Sequence, residues 1–243
     1  MNAHVRLGLP LFSSNAPSDE LWTGSVRLAG KSLPEEYRFI KWHVSARSRA
    51  RPVVMPRNAQ VILVTSARPK DGKSHVARHL AASLSLEEHS SVTLIDANFE
   101  SPSLPSANLM GSYHKGLLDL LDGDNKIDTK DAFLSCNKPN VHLLPVGRPR
   151  AHSSELLNSD RMLQLLDRLT TGGPHKFVVI DGGAVLANTD AAMLAQFCGH
   201  VLFVVAEKGT RKREIDASLA KIEQLAWPVD SDGVSFILNR PLH

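Results

Sequence analysis

Val61-Ile62-Leu63-Val64-Thr65-Ser66-Ala67-Arg68-Pro69-Lys70-Asp71-Gly72-Lys73-Ser74 is the stretch whose reading decides the fold. Four apolar residues in a row read as a short buried strand, and the proline and glycine after them read as a turn. From Ser74 to about Glu88 the spacing turns helical. A strand, a loop closing on Gly-Lys-Ser and a helix, in that order, make a phosphate-binding loop. Successive backbone N–H groups curl around the phosphate there, and the helix start adds its positive end. Such a loop is a weak signal when its flanks are wrong; here strand, loop and helix all fall where the motif requires them.

Working outward, the same texture recurs. Val92-Thr93-Leu94-Ile95, Val141-His142-Leu143-Leu144, Phe177-Val178-Val179-Ile180, Val201-Leu202-Phe203-Val204-Val205 and Val234-Ser235-Phe236-Ile237-Leu238 read as further strands. Amphipathic stretches at 153–171, 189–198 and 211–226 separate the later ones. Apolar strands alternating with helices predict an α/β protein, a mostly parallel sheet covered by helices on both faces. Residues 59–243 are expected to form this P-loop nucleotide-binding domain, and residues 1–58 an N-terminal extension. Residues 1–31 read as irregular. From Ser32 the chain has helix-start chemistry, with Ser32 as cap, Pro34 in the first turn and Glu35 completing a capping box. A short helix through about Lys41 is expected, then a basic linker over 46–58 containing Pro52 and Pro56.

In the loop, Lys73 is placed to reach the β and γ phosphates of ATP or ADP, and the Ser74 hydroxyl to ligate Mg²⁺. Pro69, Lys70, Asp71 and Gly72 supply the cradle, Gly72 for close approach, and His75 follows on the helix. Two strands end in a carboxylate, Ile95-Asp96 and Ile180-Asp181. Ligands bind at the carboxyl ends of strands in an open parallel sheet, so both aspartates are candidates for the site. Asp181 fits the acid that holds Mg²⁺; Asp96 fits a base or water-positioning group beside the same ion. Each aspartate alone could simply cap a turn. His75 and His79 have metal-ligand spacing but no glutamate between them as a zinc-protease helix needs, and read as ordinary helix residues.

Composition narrows the classes. Hydrophobic residues make up 42% of 243 and the net charge is +3, which suits a globular domain and gives no ground to expect nucleic acid. Between Glu36 and Asp71 there is no acid, while Arg38, Lys41, Arg47, Arg49, Arg51, Arg57, Arg68 and Lys70 are basic. Two distant cysteines, Cys136 and Cys198, suit a reducing compartment. No apolar run approaches the roughly 18 residues of a membrane span, and the first residues lack the apolar core of a signal peptide. A cytoplasmic protein is expected, with a peripheral place at a membrane open to it.

The run from Val64 to Ser74, then Leu94-Ile-Asp-Ala-Asn98 with Pro102, resembles the bacterial tyrosine kinases of exopolysaccharide systems, relatives of the ParA and MinD ATPases. Gly116-Leu-Leu-Asp-Leu-Leu121, Leu143-Leu-Pro-Val-Gly147, Ser154-Glu-Leu-Leu157 and Arg161-Met162 agree with it. The resemblance spans about residues 32–240 and is nearest to the kinases of exosortase-linked polysaccharide clusters. It implies a homo-oligomer docked on the cytoplasmic tail of a membrane polysaccharide co-polymerase. It also implies that Glu35, Arg38 and Lys41, three apart on the first helix, form the oligomer interface. Arg68 falls where the ParA/MinD group carries a signature lysine that reaches a phosphate across a dimer. Asn239 falls where that group often has a base-contacting asparagine.

The departures from the pattern matter as much. Lys70 replaces a glycine, Asn98 replaces the second aspartate of the Asp-x-Asp motif, and Glu100 reverses the sign of its arginine. The tyrosine cluster common at the end of the relatives has no counterpart in Asn239-Arg-Pro-Leu-His243. Three functions therefore stay open: an ATP-dependent tyrosine kinase with Asp96 as base, a non-catalytic nucleotide-dependent assembly switch, and a ParA/MinD-like ATPase.

Overall fold

The computed structural model describes residues 8–10, 25–26, 35–50, 58–105, 114–123, 129–136, 140–173, 175–226 and 233–240. Its strands are β1 (Gly8–Pro10), β2 (Ser25–Val26), β3 (Asn58–Ser66), β4 (Ser91–Asp96), β5 (Ser135–Cys136), β6 (Val141–Leu144), β7 (Lys176–Ala184), β8 (Cys198–Ala206) and β9 (Val234–Arg240). Its helices are α1 (Glu35–Ala50), α2 (Lys73–Leu84), α3 (Leu117–Asp122), α4 (Ser153–Leu157), α5 (Asp160–Thr170), α6 (Asp190–Leu194) and α7 (Lys212–Leu225). Seven strands form one sheet in the order β1-β9-β8-β3-β7-β4-β6, every pair parallel. The expected α/β fold is present.

The unbroken apolar runs follow from burial on both faces, because successive side chains of a strand point to opposite sides. On one face Val61, Leu63, Val178, Ile180, Val201 and Phe203 pack with Leu118 of α3, Met162 and Leu166 of α5, Ala191 of α6 and Ile222 of α7. On the other face Ile62, Val64, Phe177, Val179, Leu202 and Val204 pack with α1 and α2. Central β3 therefore has no polar face, and its carboxyl end is rigidly placed.

Several boundaries differ from the sequence reading. Helix α1 does not stop near Lys41 but runs to Ala50, taking in the first part of the expected basic linker. Tyr37, Ile40 and Val44 are buried against α2 and the sheet, and Ser45 Oγ donates to Glu87 at 3.0 Å. Of these, Val44 lies in the added turns, and its burial stabilises them by roughly 1.5–3 kcal/mol. Ser32 and Pro34 lie outside the described residues. The first 31 residues are not wholly irregular: β1 pairs with β9, and β2 pairs with β5. Helix α2 ends at Leu84 rather than near Glu88, because Ser85 Oγ bonds back to the Ala82 carbonyl and His89 turns left-handed at φ 58°. The stretch 153–171 is two helices, since Ser159 leaves the helical conformation and caps α5 by accepting from Met162 N–H. Among the described residues no helix is long and apolar enough to cross a membrane.

Candidate functional site

The sheet order puts the carboxyl ends of β3, β7 and β4 side by side, and each delivers one expected group. β3 feeds the phosphate loop into α2, β7 carries Asp181, and β4 ends on Asp96. Above them lies an open cleft of about 280 Å3 lined by Pro69, Lys70, Gly72, Lys73, Ser74 and His75, by Asn98, Glu100 and Ser101, and by Ala184.

The loop holds its shape before any ligand arrives. Ser66 Oγ donates to the Arg68 carbonyl at 2.7 Å, and Arg68 N–H donates to Asp71 Oδ2 at 3.1 Å. Asn239 Nδ2, from the end of β9, donates to the Asp71 carbonyl at 2.9 Å. Gly72 takes φ 101° and caps α2; a Cβ there would stand 2.1 Å from Asn239 Nδ2, so side chain and conformation both demand glycine. Lys70 adopts φ 68°, a left-handed conformation that glycine takes at no steric cost and a lysine does not. Val76 N–H already bonds to the Gly72 carbonyl, so the first N–H groups of α2 are the ones left facing the cleft.

Lys73 is buried and its Nζ donates to the Arg68 carbonyl at 3.4 Å. Burial pulls its pKa down, opposed by the charges of Asp181, Asp71 and Glu100. A phosphate arriving in the cleft supplies the strong acceptor this ammonium lacks.

The two strand-end aspartates look alike in sequence and differ in structure. Asp96 is fully engaged: its Oδ1 accepts from Asn98 N–H at 3.1 Å, and its Oδ2 from Leu104 N–H at 2.7 Å and from Ser103 N–H. Burial and then the charge of Asp181 push Asp96 up to about 7, against the pull of those N–H donors. Asp181 is 1% exposed, and neither carboxylate oxygen has a hydrogen-bond partner among the described residues. Burial raises its pKa, eased by the nearby hydroxyls of Ser103 and Ser74 and by the charges of Lys73 and Arg78. A buried carboxylate with two idle oxygens beside a serine hydroxyl is what a hard cation requires. Among the described residues no cluster of three or more His, Cys, Asp or Glu side chains that could hold a metal ion exists, so a cation held by Asp181 and Ser74 would need its further ligands from outside these side chains.

Not every expected site residue reaches the cleft. Arg68 turns away from it; its guanidinium donates to the Gly209 carbonyl at 2.9 Å and pairs with Glu214 at 3.9 Å. Asn239 sits beneath the loop with its Nδ2 engaged, and its buried Oδ1 has no partner among the described residues. His75 lines the cleft and packs at a tilt against His79, ring centroids 4.1 Å apart, and His79 stacks on Tyr37 of α1 at 4.9 Å. Burial, then His79 and Arg78, lower His75 to about 4, so the ring is neutral at pH 7. Glu35, Arg38 and Lys41 belong to α1, away from the cleft; Arg38 is exposed, Lys41 half-buried, and the side chain of Glu35 lies outside the described residues. Ser101, Ser103 and Thr210 were missed. Thr210 follows the carboxyl end of β8, so the rule that led to Asp96 and Asp181 points to it too. No pattern marks the two serines.

No protein-family model matches the chain. It is 31% identical over 185 residues to the tyrosine-protein kinase wzc of Salmonella typhimurium, covering 74% of this chain and 24% of that protein. It is 28% identical over 179 residues to the tyrosine-protein kinase ptk of Acinetobacter johnsonii, covering 74% and 23%. The chain thus spans about a quarter of the length of these relatives. The kinase domain of Escherichia coli tyrosine kinase ETK superposes with a TM-score of 0.67 at 25% identity, covering 84% of this chain and 74% of that one. The VpsO kinase domain gives 0.63 at 26%, covering 86% and 99%. A ParA family ATPase from Chlorobium tepidum shares the fold at 0.50 and 18%, covering 74% and 73%. In sequence and in fold together, the chain belongs with the kinase domains of the bacterial tyrosine kinases, on the P-loop architecture that ParA-type ATPases also use.

Proposed function

We propose that the chain binds Mg·ATP in this cleft and acts as a tyrosine-kinase-like regulator of exopolysaccharide synthesis or export, with weakened phosphoryl transfer. The observation that carries the reading is Asp181, buried near the phosphate loop with neither oxygen partnered among the described residues. Lys73 and the N–H groups of the loop and of the start of α2 bind and orient the phosphates. Ser74 and Asp181 hold Mg²⁺, and Asp96 stands next to them. Mg²⁺ when bound neutralises charge on the β and γ phosphate oxygens. Asn239 keeps the loop in place and leaves its Oδ1 for the base or for a loop N–H.

A second reading, the non-catalytic switch, is favoured by Asn98. Its Nδ2 is tied to the Ser101 carbonyl at 2.9 Å, and it brings no negative charge to the cation. By resemblance, the partner is the cytoplasmic tail of a membrane polysaccharide co-polymerase of an exosortase-linked system, and the place of action is the inner membrane face. The self-association surface is the exposed side of α1, where Arg38 is joined by Phe39, 44% exposed, and Trp42, 66% exposed. A ParA/MinD-like ATPase is the remaining alternative.

Phosphate release and autophosphorylation measured side by side on purified protein separate these readings. The kinase-like reading expects slow but Mg²⁺-dependent release with phosphotyrosine formed. Binding without either product leaves the switch, and fast release without phosphotyrosine leaves the ATPase.

A further inference from the structure

The carboxylates around the cleft divide by what already engages them. Asp96 is buried and accepts three backbone N–H groups. Asp71 is buried and holds Arg68 N–H, with Thr210 and Ser66 beside it. Asp181 is buried near Ser74, and neither of its oxygens has a hydrogen-bond partner among the described residues. Glu100 differs from all three. It is exposed, it lines the cleft together with Lys73, Ser74, Asn98 and Ser101, and its negative charge reaches Lys73. Among the described residues it makes no ion pair or hydrogen bond through its carboxylate.

A hydroxyl that attacks the terminal phosphate comes from the side opposite the leaving diphosphate. Phosphates held by the loop and the start of α2 would leave Asn98, Glu100, Ser101 and Ala184 as the rest of the cleft lining, the side from which an acceptor would approach. A proton acceptor on that side must be free to reach the hydroxyl. Asp96, which the sequence alone nominates as base, is not free: its three bonds fix the 98–104 turn, so it acts as a positioning residue for that rim.

Resting on the phosphoryl-transfer reading above, we infer that Glu100 is the acceptor-side base of this site, accepting the proton of the attacking hydroxyl. The acceptor oxygen forms its bond to the terminal phosphorus while the bond from that phosphorus to the β–γ bridging oxygen breaks. The nucleoside diphosphate leaves with that electron pair, and the hydroxyl proton passes to the Glu100 carboxylate. The charged or titratable groups facing Glu100 are Lys70 of the loop and Lys73 and His75 of α2, with Asp71, Asp96 and Asp181 buried below.

The test compares wild type, Glu100→Gln and Glu100→Asp, all at an exposed position that folding tolerates. Calorimetry gives the Mg·ATP affinity, and phosphate release plus phosphotyrosine formation gives kcat. Glu100→Gln is expected to bind Mg·ATP as tightly as wild type or tighter, since a negative charge facing the phosphates is gone. Its kcat is expected to fall by about 100-fold, with partial recovery in Glu100→Asp. A Glu100→Gln protein that keeps the wild-type kcat overturns the inference, as does a loss of kcat matched by an equal loss of affinity. Wild type that binds Mg·ATP and transfers phosphate neither to protein nor to water overturns it while nucleotide binding stands. Wild type that fails to bind ATP removes the functional reading itself.

Discussion

Asp96 and Asp181 are register partners on the neighbouring parallel strands β4 and β7, which sets two buried carboxylates side by side under the phosphate loop. Burial raises the pKa of both, and the charge of Asp181 adds to the rise at Asp96, which reaches about 7. The folded chain therefore holds protons that the unfolded chain releases from the ordinary value of 3.8 upward. Stability from this pair is complete below that value and is lost as pH rises toward 7. Urea midpoints of nucleotide-free protein are expected to fall across this window, and Asp181→Asn is expected to flatten the fall. Mg²⁺ added at pH 8 should stabilise wild type and not the variant. Equal pH slopes for the two proteins would contradict the pairing.

Lys70 carries the cost of a left-handed backbone, φ 68°, in the middle of the loop. Lys70→Gly and Lys70→Ala both remove the charge, and only glycine relieves the conformation. The glycine variant is expected to be more stable than the alanine variant by about 1 kcal/mol in urea denaturation. Equal midpoints would show that the conformation carries no strain.

Asn98→Asp restores a negative charge at the rim of the cleft and gives up the donor to the Ser101 carbonyl. The expected outcome is faster ATP turnover together with a stability loss of about 1 kcal/mol. Steady-state phosphate release and a melting curve check both halves. Turnover slower than wild type would mean that the lost charge is not what weakens the site.

Helix α1 separates two roles residue by residue. Tyr37, 2% exposed, packs on α2 and stacks on His79, so Tyr37→Ala is expected to cost about 3–5 kcal/mol of stability. Arg38 is exposed, so Arg38→Glu is expected to leave the melting temperature in place and shift the protein toward monomer in light scattering. The helix already packs on its own chain, and Phe39 and Trp42 on its outer side are what remains uncovered. A wild type that is monomeric at high concentration, with and without Mg·ATP, would remove the interface.

How much of this could be read from residues alone follows from what each feature depends on. The core strands were legible because burial on both faces writes each of them as an unbroken apolar run, as in Val61–Val64 and Phe177–Ile180. The cradle was legible because Gly72, Lys73 and Ser74 are consecutive and stand between a strand and a helix. The length of α1 was not, since it depends on Val44 meeting the sheet and Ser45 meeting Glu87, a contact across 42 residues. The difference between Asp96 and Asp181 was invisible for the same kind of reason. Each follows an apolar run, and only the turn through Ser103 and Leu104 saturates one and leaves the other open. Where Arg68 lies within its own chain was not legible either, since that depends on Gly209 in the loop after β8 and Glu214 in α7, both far along the sequence.

The central claim is that the phosphate loop binds Mg·ATP through Lys73, and titration calorimetry of wild type against Lys73→Met tests it most directly. Lys73 is held under the cleft with only a 3.4 Å contact to the Arg68 carbonyl to give up, so removing it deletes a charge-assisted contact to phosphate. A contact of that kind contributes about 1.5–3 kcal/mol, which corresponds to a loss of affinity of roughly 10-fold to more than 100-fold. The account predicts Mg²⁺-dependent binding by wild type and a loss of that size in Lys73→Met, with the variant still folded by circular dichroism. Equal affinity of the two proteins for Mg·ATP would contradict it.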